Sequence, residues 1–193
     1  DVGRVHLGAL ERLCRAKAGS KEFYLPHGLV ARREYGILRL EKRSPGSPPS
    51  GPQWGPVRVE VPGRTVVAGA GVVVLARQMS GKNACRAVQG AGKREVALDK
   101  EAVRLPLWVR SWRPGDRMEP RGMRGSKKLQ DLFVDARLPA RDRRRVPVVT
   151  DDSGRIVWVA GLRLARGVEA TQESKRAIHL AVEPVGNRGE VGA

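Results

Sequence analysis

The sequence predicts an α+β fold that is rich in strands, in which a small helix-plus-hairpin segment precedes a small β-barrel-like C-terminal domain with one or two short helices. The 193 residues include 23 Gly and 13 Pro, which is typical of a chain with many turns and argues against a helical bundle. From residue 57 onward, short apolar runs alternate with Gly and Pro, a pattern that favours strands. Hydrophobic residues make up 40% of the chain, enough for a folded core.

The leading segment, residues 1–43, is predicted to hold a helix and two strands. Apolar residues recur at spacings of three and four between residues 5 and 17, as on one face of a short amphipathic helix. Runs at 23–25 and 29–41 are predicted strands, the second folded as a hairpin. Because about 43 residues is near the lower limit for an independent core, we expect this segment to pack against something else.

Residues 44–56 contain five Pro, three Gly and three Ser in 13 positions, which predicts a semi-rigid linker without a core. Residues 57–183 form the predicted C-terminal domain, and residues 184–193 a frayed tail. Within that domain, predicted strands lie at 57–61, 65–68, 72–76 and 103–111, and a predicted hairpin at 146–161.

Two helices are predicted in the second half of the chain. Apolar residues at i, i+3, i+4 and i+7 predict a helix over 126–136, with Ser126 as its N-cap. A second short helix is predicted to begin near Pro139 and to end before Pro147.

No complete catalytic or metal-binding motif is found, so we predict no catalytic residue and no metal ligand. Gly90-Ala-Gly-Lys93 lacks the first glycine and the Ser/Thr of a phosphate loop. Asp151-Asp152 is interpreted as a turn rather than a metal site, and the three histidines are scattered. Cys14 and Cys85 stand alone, which favours a reducing cytoplasm, and the most apolar run, 66–76, is too short to span a bilayer.

Positive charge is the strongest functional signal. The chain carries 37 Lys+Arg against 20 Asp+Glu, a net charge of +17. Residues 110–145 alone hold 12 basic and five acidic residues, a local charge of 12 − 5 = +7. Since Pro and Gly interrupt residues 114–125, these arginines are predicted to lie on an irregular loop, which an anion or an acid must help to order. Asp116 is the expected internal acid, paired with Arg113 or Arg117.

Ser126-Lys127-Lys128 at the predicted helix start is a candidate phosphate site, because lysines there oppose the helix dipole unless an anion binds. The alternative is that both lysines are solvated on an exposed turn. Four arginines within 141–145 favour a polyanion surface. Trp108 and Trp112 could stack on nucleotide bases or could simply pack in the core.

Residues 105–165 closely resemble the C-terminal domain of bacterial tRNA(Ile)-lysidine synthetases, a signature that extends to 182. The resemblance is carried by Arg113-Pro-Gly-Asp-Arg117, Gly122-Met, Gly125-Ser-Lys-Lys-Leu129, the helix through Phe133, the strand at Pro147 and Trp158-Val-Ala-Gly161. Residues 23–41 also resemble the end of the central substrate-binding domain of that family, which would make residues 1–43 part of it.

The resemblance implies a ligase that uses ATP, with magnesium, to attach lysine to the wobble cytidine of isoleucine tRNA. The family's catalytic loop, Ser-Gly-Gly-x-Asp-Ser, does not occur in these 193 residues, so this part is predicted to bind tRNA near the acceptor stem without catalysing the reaction. Because the chain begins at Asp1 rather than Met, we expect processing or truncation.

The expected tRNA contacts combine four residues matched to the family pattern (Arg113, Arg117, Lys127, Lys128) with others chosen from local charge and position: Arg121, Arg124, Ser126, Arg141, Arg143, Arg144 and Arg145. Two alternatives stay open at this point. The chain could be a stand-alone, non-catalytic RNA-binding module, or its basic surface could bind an acidic protein partner.

Overall fold

The computed structural model describes residues 4–15, 21–34, 37–42 and 53–185. They belong to two compact units, the first formed by residues 1–51 with 133–143 and the second by 52–132 with 144–193. Most of the predicted linker, residues 44–52, and most of the predicted tail, residues 186–193, lie outside the described residues. The domain boundaries of the sequence analysis stay predictions.

The first unit contains the helix and strands expected of the leading segment. Its elements are α1 (Arg4–Arg15), β1 (Lys21–Leu25), β2 (Leu29–Glu34) and β3 (Ile37–Lys42). The strands form an antiparallel sheet in the order β1-β2-β3. Leu25, Val30 and Ala31 are buried apolar residues of this sheet, and Leu10, Phe23 and Leu29 pack against Leu25 and Ala31. The predicted helix-plus-hairpin arrangement is therefore confirmed.

The second unit is built mainly from strands joined by tight turns. Its strands are, in chain order, β4 (Val57–Arg58), β5 (Gly63–Val67), β6 (Val72–Met79), β7 (Glu95–Asp99), β8 (Trp108–Arg110), β9 (Arg117–Met118), β10 (Lys127–Lys128), β11 (Val148–Thr150), β12 (Ile156–Val159), β13 (Arg163–Leu164) and β14 (Ala177–Pro184). Helix α2 (Gly81–Val88) lies between β6 and β7. Helix α3 (Leu129–Asp135) follows β10, and its residues 133–135 are assigned to the first unit. The strand-rich α+β class is confirmed.

Two larger antiparallel sheets and one short hairpin make up this unit. The five-stranded sheet has the order β13-β12-β11-β8-β4, the four-stranded sheet the order β5-β6-β14-β7, and β9 pairs with β10. Among the described residues, the first strand of each larger sheet does not pair with the last strand of that sheet. The expected barrel-like closure is therefore wrong. Closure needs edge strands that pair along their length, whereas β4 and β13 each have two residues.

Helix α2 was not predicted, because Gly81 and Asn83 are poor helix formers within a short segment. Its start is nevertheless encoded, since the Ser80 hydroxyl accepts a hydrogen bond from the Asn83 N–H at 3.4 Å as an N-cap. Ala84 is fully buried against Ala97 of β7 and Ala177 of β14. The helix thus covers the β7 end of the four-stranded sheet.

The helices of the second half begin and end differently from the prediction. The helix predicted over 126–136 spans Leu129–Asp135, and the one predicted between 139 and 147 is a single 3-10 turn, Arg143–Arg145. None of the helices in the described part of the chain is long and apolar enough to cross a membrane.

Substituting Gly81 tests how tightly α2 is seated. A Cβ at Gly81 would lie 2.2 Å from the Thr171 carbonyl oxygen and 2.5 Å from that of Ser174, so Gly81→Ala must displace the backbone. We expect a loss of about 1–3 kcal/mol in the free energy of unfolding, measured by thermal or urea denaturation. Gly92→Ala is the control, because a Cβ there meets nothing within 4 Å. Equal stability of the two variants would contradict this packing.

Candidate nucleic-acid interface

The segment that the sequence predicts as an irregular basic loop contains the short hairpin formed by β9 and β10. Lys127 is paired with Met118 and Lys128 with Arg117. The Leu129 N–H donates to the Asp116 carbonyl oxygen at 2.9 Å and extends this connection by one residue. We call residues 113–128 the basic hairpin.

This pairing corrects the expectation that Ser126 caps a helix starting at Lys127. Both lysines use backbone groups in the strand, and α3 begins only at Leu129. The argument from the helix dipole therefore does not apply to Lys127 and Lys128. Their assignment as tRNA contacts stays a prediction that depends on charge and on the family pattern.

A two-pronged ion pair holds the start of the basic hairpin. The Arg110 guanidinium donates from Nη1 to Asp116 Oδ2 at 2.8 Å and from Nη2 to Oδ1 at 2.9 Å. The Arg113 N–H donates to the same Oδ2 at 2.7 Å. The side chains of Arg110 and Asp116 are only 11% and 12% exposed, so solvent screens the pair weakly. Asp116 therefore pairs with Arg110 and not with the side chain of Arg113 or Arg117.

Arg117 connects the two strands of the hairpin. Its Nε donates to the Ser126 hydroxyl at 3.2 Å and its Nη2 to the Ser126 carbonyl oxygen at 3.3 Å. Both acceptors are neutral, so Arg117 keeps its full positive charge at the surface. Ser126, a predicted tRNA contact, is therefore also a partner that positions Arg117.

The other predicted contacts of the basic hairpin differ in how they are held. Arg121 lies 3.5 Å from Glu169, an ion pair in which the arginine side chain is 63% exposed. Arg113, Arg124 and Lys128 are exposed, and Lys127 is half-buried. The structure thus brings the contacts predicted between 113 and 128 together on one hairpin.

The four arginines within residues 141–145 differ in their contacts. Arg141, in the first unit, donates to Glu41 at 2.8 Å and lies 3.8 Å from Asp142. Arg143 donates through Nε to the Leu138 carbonyl oxygen at 3.2 Å. In the second unit, the carbonyl oxygen of Arg144 accepts the Trp54 indole N–H at 2.8 Å, and Arg145 is exposed.

A polar cleft of about 580 Å³ opens beside the basic hairpin, within the second unit. It is lined by Arg110, Gly115, Asp116, Arg117, Met118, Glu119, Ser126, Gly154, Arg155 and Ile156. The last three come from the turn between β11 and β12 and from the first residue of β12. Arg155 is not among the predicted contacts, because residues 151–154 carry a turn signal and nothing in the local sequence connects Arg155 to the basic hairpin.

The turn that carries Arg155 is fixed by Asp151, which is 3% exposed. Asp151 Oδ1 accepts hydrogen bonds from the Ser153 N–H at 3.0 Å, the Ser153 hydroxyl at 2.6 Å and the Arg155 N–H at 3.1 Å. Its other oxygen accepts the Arg104 N–H at 3.4 Å. Asp151 thus acts as the turn residue that the sequence predicted.

Both tryptophans near the hairpin are half-buried. Trp108, on β8, donates its indole N–H to Asp152 Oδ1 at 3.3 Å. Its ring edge is thus directed to a neighbouring turn of the same unit. The stacking interpretation of Trp108 and Trp112 stays a prediction.

Residues 107–180, which contain the basic hairpin and the cleft, match the family model described as "TilS substrate C-terminal domain". A solved structure titled "Crystal structure of TILS C-terminal domain" superposes with a TM-score of 0.59 at 30% identity, covering 69% of this chain and all of that one. The chain belongs to the TilS C-terminal domain family.

Curated relatives extend the TilS match beyond that domain. The tRNA(Ile)-lysidine synthase of Symbiobacterium thermophilum is 36% identical over 186 residues, which is 94% of this chain and 37% of that protein. The "Bifunctional protein TilS/HprT" of Listeria innocua is 32% identical over 167 residues, 84% of this chain and 24% of that protein. The chain therefore spans well under half the length of these two relatives.

Removing the acid that holds the TilS basic hairpin tests its structural role. Asp116→Ala leaves the Arg110 guanidinium without its carboxylate in a largely buried site. We expect the free energy of unfolding to fall by about 3 kcal/mol, near the lower end of the range for breaking a buried ion pair. Urea denaturation of the purified chain measures this loss.

Asp131→Ala is the matched control, since Asp131 is exposed in the first turn of α3 and should contribute only a few tenths of a kcal/mol. The double variant Arg110→Ala/Asp116→Ala should recover part of the stability, because no unpaired buried charge remains. A loss for Asp116→Ala no greater than for Asp131→Ala would refute the role of this ion pair.

Proposed function

We propose that this chain is the tRNA-binding C-terminal part of a tRNA(Ile)-lysidine synthase and that its basic hairpin contacts tRNA. The whole protein is then a cytoplasmic ligase. It uses ATP, with magnesium, to attach lysine to the wobble cytidine of isoleucine tRNA. ATP and lysine are used by the family's N-terminal domain. The present residues position the substrate and do not catalyse the reaction.

The observation that supports this proposal most strongly is the distribution of charge within the part of the chain that matches the family. Both acids of the basic hairpin are engaged by arginines from other segments, Asp116 by Arg110 at 2.8 Å and Glu119 by Arg166 at 3.1 Å. Arg113, Arg124 and Lys128 are exposed on the same hairpin. Its surface is therefore cationic because its negative charges are internally neutralised, which suits a polyanion.

Phosphate is the group that such a surface recognises in RNA. An A-form stem hides its base edges in a deep, narrow major groove and is recognised by shape, phosphates and 2′-hydroxyls. An array of arginines and lysines fits contacts of that kind. We propose the acceptor stem as the contacted element, which leaves the anticodon loop accessible to the catalytic domain.

Neutralising two exposed hairpin cations tests the proposal. Arg113→Gln/Lys128→Gln removes two predicted phosphate contacts without touching a buried ion pair. We expect tRNA affinity at low salt to fall about tenfold or more, and the slope of log Kd against log salt to decrease by about two. Fluorescence anisotropy with labelled isoleucine tRNA over a salt series measures both quantities.

The matched control is Arg64→Gln/Arg77→Gln, which removes the same charge from exposed positions of β5 and β6. Thermal midpoints near the wild-type value verify that all variants are folded. If both double variants weakened binding equally, the tRNA surface would not be the basic hairpin. If the wild-type chain bound no tRNA in dilute salt, the proposed function itself would be wrong.

A further inference from the structure

The polar cleft beside the basic hairpin has the size of a ligand site. It is lined by the hairpin, from Gly115 to Glu119 together with Ser126, by Arg110 of β8 and by the segment from Gly154 to Ile156. Its volume of about 580 Å³ lies within the range of roughly 300–1,000 Å³ found for clefts that hold small organic ligands. The cleft is therefore larger than a lone ion requires.

The acidic side chains that line this cleft are paired with arginines, whereas two of its basic side chains are not paired with acids among the described residues. Asp116 is bound by Arg110 and Glu119 by Arg166, so both carboxylates are neutralised. Within the described part of the chain, Arg117 donates to Ser126 oxygens, Arg155 donates from Nη2 to the Arg166 carbonyl oxygen at 2.7 Å, and neither guanidinium contacts a carboxylate. Two positive charges thus line the cleft without an acid to balance them.

Each of these two arginines has hydrogen-bond donors to spare. A guanidinium carries five N–H groups. The contacts of Arg117 use Nε and Nη2, and those of Arg155 use Nη2. The remaining N–H groups of a planar guanidinium match the paired oxygens of a phosphate. A phosphate group is therefore the ligand chemistry that suits this lining.

The remaining lining favours a sugar–phosphate chain over a base. Gly115 and Gly154 adopt φ angles of +92° and +82°, and a Cβ at either would meet nothing within 4 Å, so both open into the cleft or to solvent. A ligand backbone can approach such positions closely. The ten residues that line the cleft include no aromatic side chain, which is the usual platform for a stacked base.

We propose that this cleft holds the sugar–phosphate backbone of one nucleotide of the bound tRNA, with its phosphate between Arg117 and Arg155. The proposal rests on the proposed tRNA-binding function and adds Arg155, a residue outside the basic hairpin, to the binding surface. Since backbone contacts carry no direct base information, the contribution of Arg155 is independent of RNA sequence.

The test compares Arg155→Gln with the wild-type chain. Anisotropy titrations use isoleucine tRNA and a tRNA of the same fold in which the stem base pairs are exchanged. We expect Arg155→Gln to weaken both complexes by the same factor, about tenfold, and to lower the salt slope by about one. Arg155→Lys, which keeps the charge but not the planar donors, should lie between Arg155→Gln and wild type.

Arg77→Gln, an exposed arginine of β6 outside the cleft, is the control for loss of charge alone and should change affinity less than twofold. Thermal midpoints monitor folding. If Arg155→Gln matched Arg77→Gln while the chain still bound tRNA, the cleft assignment would be overturned and the proposed function would stand. A loss confined to one of the two RNAs would indicate base recognition instead and would also overturn it. If the wild-type chain bound no tRNA, the proposed function would be wrong, and the cleft assignment that rests on it would be wrong as well.

Discussion

The ion pair between Arg110 and Asp116 is the constraint on which the basic hairpin depends. A loop of closely spaced cations repels itself, and the backbone ladder between β9 and β10 is only two residue pairs long. Asp116 compensates for this by binding one guanidinium through both oxygens and the Arg113 N–H through one of them. Its own carbonyl oxygen accepts the Leu129 N–H, so the same residue also fixes the point at which α3 begins.

The surface charge of the hairpin follows from this internal pairing. Arginines on neighbouring segments neutralise Asp116 and Glu119, while Arg113, Arg117, Arg124 and Lys128 stay exposed. The hydrogen bonds to Ser126 position Arg117 before a ligand arrives. Because ordering side chains on binding reduces affinity, a side chain positioned in this way favours binding of a polyanion.

Elements with a strong local signal could be predicted from the sequence. The spaced apolar residues of α1, the runs that became β5 and β6, and the turn at Asp151 each follow from residue type and spacing. Elements that depend on tertiary contacts could not. Strand β14 lies between β6 and β7, and its residues Ala177 to Val182 are all buried, so no alternation of polar and apolar residues marked it as a strand.

The candidate site shows the same division. Local charge was sufficient to locate the basic segment, but the partners of its charges lie far away in the sequence. Glu119 pairs with Arg166, 47 positions later, and the cleft needs Arg155 from a different hairpin. The start of α3 was misplaced by two residues because the backbone of Lys127 and Lys128 pairs with Met118 and Arg117, a contact that helix propensity and capping rules do not include.

The tRNA affinity of Asp116→Asn tests the central claim most directly. This substitution keeps the side-chain volume and raises the net charge of the chain by one, so attraction by charge alone predicts tighter binding of tRNA. Our account predicts weaker binding at constant salt, because a neutral amide cannot hold Arg110 and the hairpin as the carboxylate does. Unchanged or tighter binding by the folded variant would contradict it.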